Sequence, residues 1–302
     1  MVELIGNVKL NKQFYSGVDE YSDGDIEKEI LELVKKESDV LKILKEDNRW
    51  PVLYHLSPER HNILEWYPFD KDAEVLEVGA GCGAVTGAIC KKVKSVTCND
   101  LSLTRSSINA YRNKEFDNLE IMVGNFNHVK FEKKYDYITL IGVLEYAGYY
   151  TEGNNPFVDF LKNIKQYLKE DGKVLIAIEN KFGLKYWAGF REDHIGDYFV
   201  GLENYEGVSQ KVRTFSKDEL KDIFEEAGYS NYSFYYPYPD YKFPKQIFSD
   251  EYLPNEEDIE FSREVYDNNR MKLFNETRVL KNIVKNKKFD FFSNSFFIEI
   301  SR

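Results

Sequence analysis

A glycine-rich run could bring the main chain of this protein close to a ligand. It comes at the end of an apolar stretch that begins at Ala73 and reads Glu77-Val78-Gly79-Ala80-Gly81-Cys82-Gly83. Glycine allows a sharp turn and puts no side chain between the backbone and a ligand. Gly79, Gly81 and Ala84 also satisfy the G-x-G-x-x-G/A fingerprint of dinucleotide-binding proteins, so NAD is one candidate cofactor.

Polar side chains near this run favour S-adenosylmethionine (SAM) over NAD. Glu77 could accept a hydrogen bond from the ammonium group of SAM, whereas it would repel a pyrophosphate. Asp100 lies 17 positions after Gly83, at the end of the next β-prone run, where a carboxylate can bind the ribose hydroxyls of either cofactor. Farther along, the amide oxygen of Asn125 could accept from the adenine amino group, and the Phe126 ring could cover the adenine face.

Short β-prone runs alternate with helical patterns from residue 73 onward. Strands are predicted at 73–78, 95–99, 119–123, 135–141, 174–178, 232–236 and 292–300. Helices are predicted at 84–92, 103–112 and 156–168, and the capping box Ser216-Lys217-Asp218-Glu219 begins another. This alternation predicts β-α-β units and a parallel sheet that is covered on both faces.

The segment before residue 73 is expected to be helical. Apolar residues recur at helical spacing over 25–46, which predicts an amphipathic helix that ends at Trp50-Pro51. Ser57 and Pro58 predict the start of a second, short helix that runs to about Tyr67.

The glycine run, Asp100 and Asn125 form part of a longer resemblance. Together with Tyr135-Asp136-Tyr137-Ile138 and Val143-Leu144-Glu145-Tyr146, they resemble the class I (Rossmann-like) SAM-dependent methyltransferase family over about residues 73–236 and the final strand. The resemblance implies an α/β fold with a Rossmann-like seven-stranded, mostly parallel sheet and an antiparallel last strand. We expect an N-terminal helical extension or lid at 1–72 and a methyltransferase domain at 73–302, with insertions at about 180–213 and 238–290.

The same resemblance implies where the cofactor lies. Glu77 is expected near the methionine end, Asp100 on the ribose and Asn125 on the adenine, where the family more often has Asp. His55 and Arg60 lie on a segment that could close over the cofactor, with Arg60 facing its carboxylate, or that could simply pack as a helix. The predicted cofactor-binding residues are Glu77, Gly79, Ala80, Gly81, Cys82, Gly83, Asp100, Leu101, Asn125, Phe126, Gly142, His55 and Arg60.

Two side chains are candidates for the catalytic base. His194 lies in the 180–213 insertion, which is expected to overhang the strand ends where ligands bind. Glu145 comes just after the predicted strand 135–141. The alternative interpretations are a surface histidine and a carboxylate that only caps the end of the sheet. No sequence cluster of His, Cys and acidic residues suggests a metal, so none is expected.

The acceptor is expected to be an oxygen atom. The Asn/Asp-Pro-Pro-Tyr motif of enzymes that methylate base amines is missing after strand 135–141, and 52 acidic against 41 basic residues disfavour a nucleic-acid partner. The flanking segments resemble bacterial methyltransferases from surface-polysaccharide gene clusters, which implies a sugar, glycan or related hydroxyl as acceptor and possible association with glycosyltransferases. A non-catalytic SAM-binding module in glycan assembly, an RNA or protein methyltransferase and an NAD(P) oxidoreductase stay open as alternatives.

Composition adds two expectations. Cys82, Cys90 and Cys98 fit neither a disulfide framework nor a zinc pattern, and no apolar run approaches the length of a membrane helix, so a cytoplasmic protein is expected. Of the 22 Tyr and 22 Phe residues, ten lie within residues 229–252 and six in the predicted insertion at 180–213, where their rings could stack on sugars or only pack.

Overall fold

The structure is a computed structural model that describes residues 1–19, 21–259 and 273–302 of the 302-residue chain. The described residues cluster into two compact units. The first comprises residues 1–141 and 164–174, and the second comprises residues 142–163 and 175–302. Of the predicted insertion at 238–290, residues 260–272 lie outside the described residues.

Ten strands occur in the described parts of the chain, where seven were predicted. They are β1 (Val2–Ile5), β2 (Val8–Asn11), β3 (Glu74–Val78), β4 (Ser95–Asp100), β5 (Leu119–Val123), β6 (Tyr135–Ile141), β7 (Leu168–Glu179), β8 (Asn231–Tyr238), β9 (Gln246–Ser249) and β10 (Ser295–Ser301). The predicted count was therefore wrong, because β1, β2 and β9 are additional strands. The α/β class and the mostly parallel character of the sheet are confirmed.

Twelve α-helices connect these strands in the same described ranges. They are α1 (Asp25–Lys36), α2 (Val40–Glu46), α3 (Trp50–Leu56), α4 (Asn62–Glu65), α5 (Thr86–Cys90), α6 (Leu103–Arg112), α7 (Ala147–Tyr150), α8 (Pro156–Gln166), α9 (Leu184–Trp187), α10 (Lys217–Glu226), α11 (Glu276–Lys285) and α12 (Phe289–Phe292). Short 3-10 turns lie at Pro58–His61 and Leu144–Tyr146. None of the described helices is long and apolar enough to cross a membrane.

Parallel strands form most of the sheet in the first unit. Its strand order is β1-β2-β5-β4-β3-β6-β7, the last represented by residues 168–174. β3 pairs in parallel with both β4 and β6, and β4 pairs in parallel with β5. Val75, Leu76 and Val78 of β3 are buried, as expected for a strand covered on both faces. The carboxyl ends of β3, β4 and β5 therefore point the same way and carry the glycine run, Asp100 and Asn125.

Antiparallel pairing dominates the sheet of the second unit. The order there is β7-β10-β8-β9, with residues 175–179 of β7 in this unit. β10 runs antiparallel to β8, which confirms the antiparallel last strand, and β9 is antiparallel to β8. Helix α10 begins at the predicted capping box, in which Ser216 and Glu219 each accept a hydrogen bond from the other's backbone.

The N-terminal segment is not purely helical, which corrects the sequence prediction. It begins with the hairpin β1-β2, in which Ile5 pairs with Val8 across the two-residue turn Gly6-Asn7. The long helix predicted over 25–46 is two helices, because Asp39 caps α2 by accepting from the backbone N–H of Leu41. Trp50-Pro51 begins α3 instead of ending a helix, since proline is well tolerated in a first helical turn.

Candidate functional site

The glycine run forms a tight turn after β3. Gly79, Gly81 and Gly83 have φ angles of 68°, 53° and 72°, which other residues adopt only at a cost. The backbone N–H groups of Gly79 and Ala80 both donate to the carbonyl of Asn99, at 2.8 and 3.1 Å. The turn is thus held against the end of β4.

Two of these glycines serve different purposes. A Cβ on Gly83 would lie 2.3 Å from Oδ1 of Asn109, so Gly83 is needed for packing against α6. A Cβ on Gly81 would meet no described atom within 4 Å. The backbone of Gly81 therefore borders an open space in which a ligand could be held closely. We call this space beside Gly81 the cradle.

Asp100 closes this cradle. Its Oδ2 accepts from the backbone N–H of Gly81 at 2.8 Å, and its Oδ1 accepts from that of Ser102 at 2.9 Å. Burial raises the pKa of Asp100, against the opposing effects of the Arg105 guanidinium and these two hydrogen bonds. Leu101, the next predicted cofactor residue, is half-buried.

Glu77 is buried at the end of β3. Its Oε2 accepts from the Thr86 hydroxyl at 2.7 Å and from the Cys98 thiol at 3.2 Å. Burial, with Asp100 adding to it, raises the pKa of Glu77 to about 7, so its charge changes within the physiological range. Thr86 in turn accepts from Nδ2 of Asn109 at 3.1 Å, which fixes the hydroxyl's orientation.

The turn after β5 carries Asn125 and Phe126. Asn125 is half-buried, and its Oδ1 accepts from the backbone N–H of Asn127 at 3.0 Å. Phe126 is buried, with its ring centroid 5.8 Å from that of Tyr167 in an edge contact and 5.7 Å from that of Phe131. The structure thus gives the Phe126 ring a packing role within the first unit.

His55 and Arg60 lie on the segment before β3. His55 is buried, with Nε2 3.2 Å from Oδ2 of Asp23, and burial lowers its pKa although Asp23 opposes this. The Arg60 guanidinium lies 4.6 Å from the centre of the Tyr54 ring, a cation–π contact. Arg112, which sequence reasoning missed, donates to the carbonyl of His55 at 2.6 Å and to that of Cys82 at 2.8 Å. It therefore ties this segment to the glycine turn.

The second unit contains a separate cluster of acidic and basic side chains. Gly142 has a φ of 72°, and a Cβ there would lie 2.8 Å from the Tyr241 hydroxyl and 3.6 Å from Oε1 of Glu145. Glu145 and Glu179 are each 0% exposed. With His194, whose side chain is 7% exposed, each offers one N or O atom, and these three atoms lie within 4.8 Å of one another. The two predicted catalytic residues are therefore brought together, and Glu179 joins them.

Lys242 and Asp193 surround this cluster. Lys242 Nζ lies 2.5 Å from Oε1 of Glu179 and 2.5 Å from Oδ1 of Asp193. Lys185 Nζ is 2.8 Å from Oδ2 of Asp193. Sequence reasoning missed Glu179 as a site residue, although its place at the end of β7 could have revealed it; the distant Lys242 carried no such signal.

A family model described as "Methyltransferase domain" matches residues 51–233, which is more than half of the chain. The chain belongs to this methyltransferase family. It is a class I SAM-dependent methyltransferase, and its cofactor is SAM.

Individual relatives of this methyltransferase are distant. An uncharacterised methyltransferase of Staphylococcus carnosus is 29% identical over 160 residues, covering 52% of this chain and 70% of the relative. A solved SAM-dependent methyltransferase of Thermotoga maritima, described as a possible histamine N-methyltransferase, is 15% identical with a TM-score of 0.48, covering 86% of this chain and 96% of its own. One of Thiobacillus denitrificans, in complex with S-adenosylhomocysteine (SAH), is 16% identical with a TM-score of 0.42, covering 59% and 67%.

The donor set in the first unit of this methyltransferase fits SAM. Open space beside Gly81 admits a closely held ligand, and the buried carboxylate of Glu77 and the half-buried one of Asp100 suit an ammonium group and ribose hydroxyls. All three cysteines are buried free thiols, and burial raises the pKa of Cys82 to about 12. Cys82 therefore contributes backbone and bulk to the turn and no nucleophile.

Electrostatic interactions in the second unit raise the pKa values of two members of the cluster, Glu145 and His194. Burial and the Glu179 carboxylate raise the pKa of Glu145 to about 8. Burial disfavours the charged form of His194, but Glu179, Glu145 and Glu192 outweigh it and raise the pKa of His194 to about 9. Despite its burial, Glu179 has a pKa held well below its usual range, chiefly by Lys242.

Proposed function

We propose that this methyltransferase methylates a hydroxyl group of a sugar, a glycan or a related small molecule, with Glu145 and His194 as its catalytic residues. One observation carries the proposal: Glu145 is fully buried, yet neither carboxylate oxygen has a hydrogen-bond partner among the described residues. Native proteins rarely leave a buried carboxylate in this state unless a ligand completes it. A hydroxyl group that donates to Glu145 would do so.

The residues of the first unit hold the cofactor in this proposal. Bound SAM supplies a methyl group that is already activated on a sulfonium. Glu77 binds the ammonium group, Asp100 the ribose hydroxyls and Asn125 the adenine, while bare backbone at Gly81 allows close approach. The segment over residues 1–72, with His55 and Arg60, acts as the lid of this site.

The acceptor hydroxyl, unlike the cofactor's methyl group, must be activated by the protein. Because an alcohol is a poor nucleophile, the protein must position the hydroxyl and reduce the cost of removing its proton. Two buried glutamates and an imidazole within 4.8 Å of one another can position the hydroxyl. The raised pKa values of Glu145 and His194 make their deprotonated forms strong proton acceptors. Because Gly142 has no side chain, the Tyr241 hydroxyl and Oε1 of Glu145 can both lie close to its backbone.

Aromatic residues of the second unit support a sugar acceptor. Three rings of the 180–213 segment are partly open to solvent: Trp187 is 43%, Tyr198 38% and Phe199 39% exposed. They offer flat faces of the kind that stack on sugar rings. In contrast, Tyr186 and Tyr205 of the same segment are buried and serve packing.

Radiolabelled SAM tests this proposal directly. The chain is incubated with labelled SAM and a panel of oligosaccharides, a glycolipid extract, RNA, protein and small amines. We expect label in a base-stable methyl ether on a saccharide hydroxyl. Label only in RNA, protein or amines, or SAM binding without transfer to any acceptor, would contradict the proposed function.

A further inference from the structure

We propose that Glu145, Glu179 and His194 form a binding site for one divalent metal ion, a first-row cation such as Mn²⁺. The inference deepens the proposed function, on which its catalytic part rests, by naming the group that would bind the acceptor oxygen. It applies to the second unit alone, where all three side chains lie. No metal is predicted from the sequence, in which these three residues lie far apart.

Open polar atoms are the first support. Oε1 and Oε2 of Glu145, Oε2 of Glu179 and Nε2 of His194 are buried and lack a hydrogen-bond partner in the described part of the chain. Oε2 of Glu179 and Nε2 of His194 face each other at 3.6 Å, beyond hydrogen-bond distance, whereas the Glu145 oxygens have no such neighbour among the described residues. Four such atoms from three neighbouring side chains are unusual, because buried polar groups are almost always paired. A bound cation is one of the few ligands that would satisfy all three side chains at once.

Geometry and atom type are the second support. One atom from each side chain falls within 4.8 Å of the other two. Since Zn²⁺ binds N and O ligands at about 2.0–2.2 Å, two ligand atoms on opposite sides of one ion lie about 4.4 Å apart and neighbouring ones lie closer, so the three side chains would move inward to bind an ion. One imidazole and two carboxylates are a mixed donor set that suits first-row divalent ions.

An outer shell already orients the proposed ligands. The Tyr146 hydroxyl lies 3.0 Å from Nδ1 of His194, so it can accept from Nδ1–H and leave the Nε2 lone pair free for a metal. Lys242 engages Oε1 of Glu179 at 2.5 Å and leaves Oε2 to the cluster. Glu192 accepts from the backbone N–H of His194 at 2.8 Å and fixes that turn. Such partners hold metal ligands in place in established sites.

Charge balance agrees with a divalent ion. Glu145 and Glu179 contribute two negative charges when ionised, and a neutral His194 adds none. The positive charge of Lys242 is divided between Glu179 and Asp193, at 2.5 Å from each. A 2+ ion would therefore offset the negative charge of the two buried carboxylates.

Three protein ligands would leave coordination positions open to the acceptor. A hydroxyl oxygen bound there has a lowered pKa. Its O–H bond breaks with the proton passing to water, the oxygen bonds to the methyl carbon, and the carbon–sulfur bond breaks to leave a neutral thioether. The atoms and charges balance without any further reactant.

Mn²⁺ binding to the full chain, measured by electron paramagnetic resonance without cofactor or acceptor, tests the site. We expect about one saturable Mn²⁺ per chain, with affinity at least about tenfold weaker in Glu145→Gln and His194→Gln and about tenfold weaker in Tyr146→Phe. The matched control is Asp250→Asn, which removes a carboxylate charge paired with Lys217, outside the cluster. Circular dichroism confirms that each variant folds.

A spectroscopic signature separates ligation from nonspecific binding. Electron spin-echo modulation should show coupling of Mn²⁺ to an imidazole nitrogen in the wild type and in Asp250→Asn, and no such coupling in His194→Gln. No saturable site, or equal affinity in wild type and Glu145→Gln, would overturn the inference. Hydroxyl methylation that persists undiminished in excess chelator would also overturn it while leaving the proposed function intact.

Discussion

The carboxylate of Asp100 accepts a hydrogen bond from the backbone N–H of Gly81, with 2.8 Å between Oδ2 and N. This bond joins the ends of two neighbouring parallel strands, β3 and β4, at the point where the cofactor is expected. An ionised carboxylate has about four lone-pair sites, so Asp100 can hold the turn and still accept from ribose hydroxyls. The residue therefore shapes the cradle as well as contacting the ligand.

Asp100→Asn should weaken SAH binding by about tenfold or more. An asparagine retains one acceptor, and its amide group would face either the Gly81 or the Ser102 backbone N–H, donor against donor. Calorimetric titration with SAH measures the change, and the exposed Asp117→Asn is the matched control. Equal affinities in the two variants would show that Asp100 has no part in binding.

Alanine substitutions should separate the roles of Gly81 and Gly83. At either position, a positive φ costs alanine about 1–2 kcal/mol. Gly83→Ala should lose about 2 kcal/mol more in unfolding free energy, because its Cβ collides with Asn109. Gly81→Ala should instead lose at least about tenfold in SAH affinity. Urea unfolding measures the free energy and calorimetry measures the SAH affinity. Unchanged SAH affinity in Gly81→Ala would show that the cofactor does not bind in the cradle.

Cofactor affinity should fall at acidic pH through Glu77. Its pKa of about 7 lies above its ordinary value, and binding an ammonium group requires the ionised form. Affinity should therefore be complete well above pH 7, fall to about half at pH 7 and decline further as the pH falls, to about thirtyfold weaker at pH 5.5. Calorimetry with SAH across this range gives the profile. Glu77→Gln should bind weakly with a flat profile, and a flat wild-type profile would exclude this role.

Glu145→Met should stabilise the protein while abolishing activity. The substitution removes a buried carboxylate that has no hydrogen-bond partner among the described residues and keeps a similar volume, so the unfolding free energy in chelator should rise by about 1–3 kcal/mol. The buried neighbour Leu144→Met is the control and should cost less than about 1.5 kcal/mol. A lower unfolding free energy in Glu145→Met would mean that the carboxylate stabilises the folded state.

Local sequence patterns predicted residues 73–141 of the first unit well. β5 and β6 begin and end at the predicted residues, as does α6, because each is a short apolar or periodic run with clear ends. The turn residues Gly81 and Asp100 lie at consecutive strand ends, so the β-α-β rule alone brings them together. The hairpin around Gly6-Asn7 was detectable from its alternating apolar residues but was missed because each strand has only four residues.

The cluster in the second unit could not be predicted in the same way. Glu145 and Glu179 follow or end β6 and β7, but His194 and Lys242 come from irregular segments far along the chain. Their convergence depends on tertiary packing that no short-range period reports. For this reason the sequence indicated Glu145 and His194 as candidates. It did not indicate that they lie together or that buried polar atoms of each lack hydrogen-bond partners among the described residues.

The most direct test of the account is the transfer of labelled methyl from SAM to a saccharide, comparing the wild type with Glu145→Gln and with Asp250→Asn. We expect a methyl ether in the wild type and in Asp250→Asn, and a loss of kcat/KM of at least about a hundredfold in Glu145→Gln, with SAH affinity unchanged. Transfer to amines alone, or full hydroxyl methylation by Glu145→Gln, would contradict the proposed hydroxyl methylation and the role of Glu145 in it.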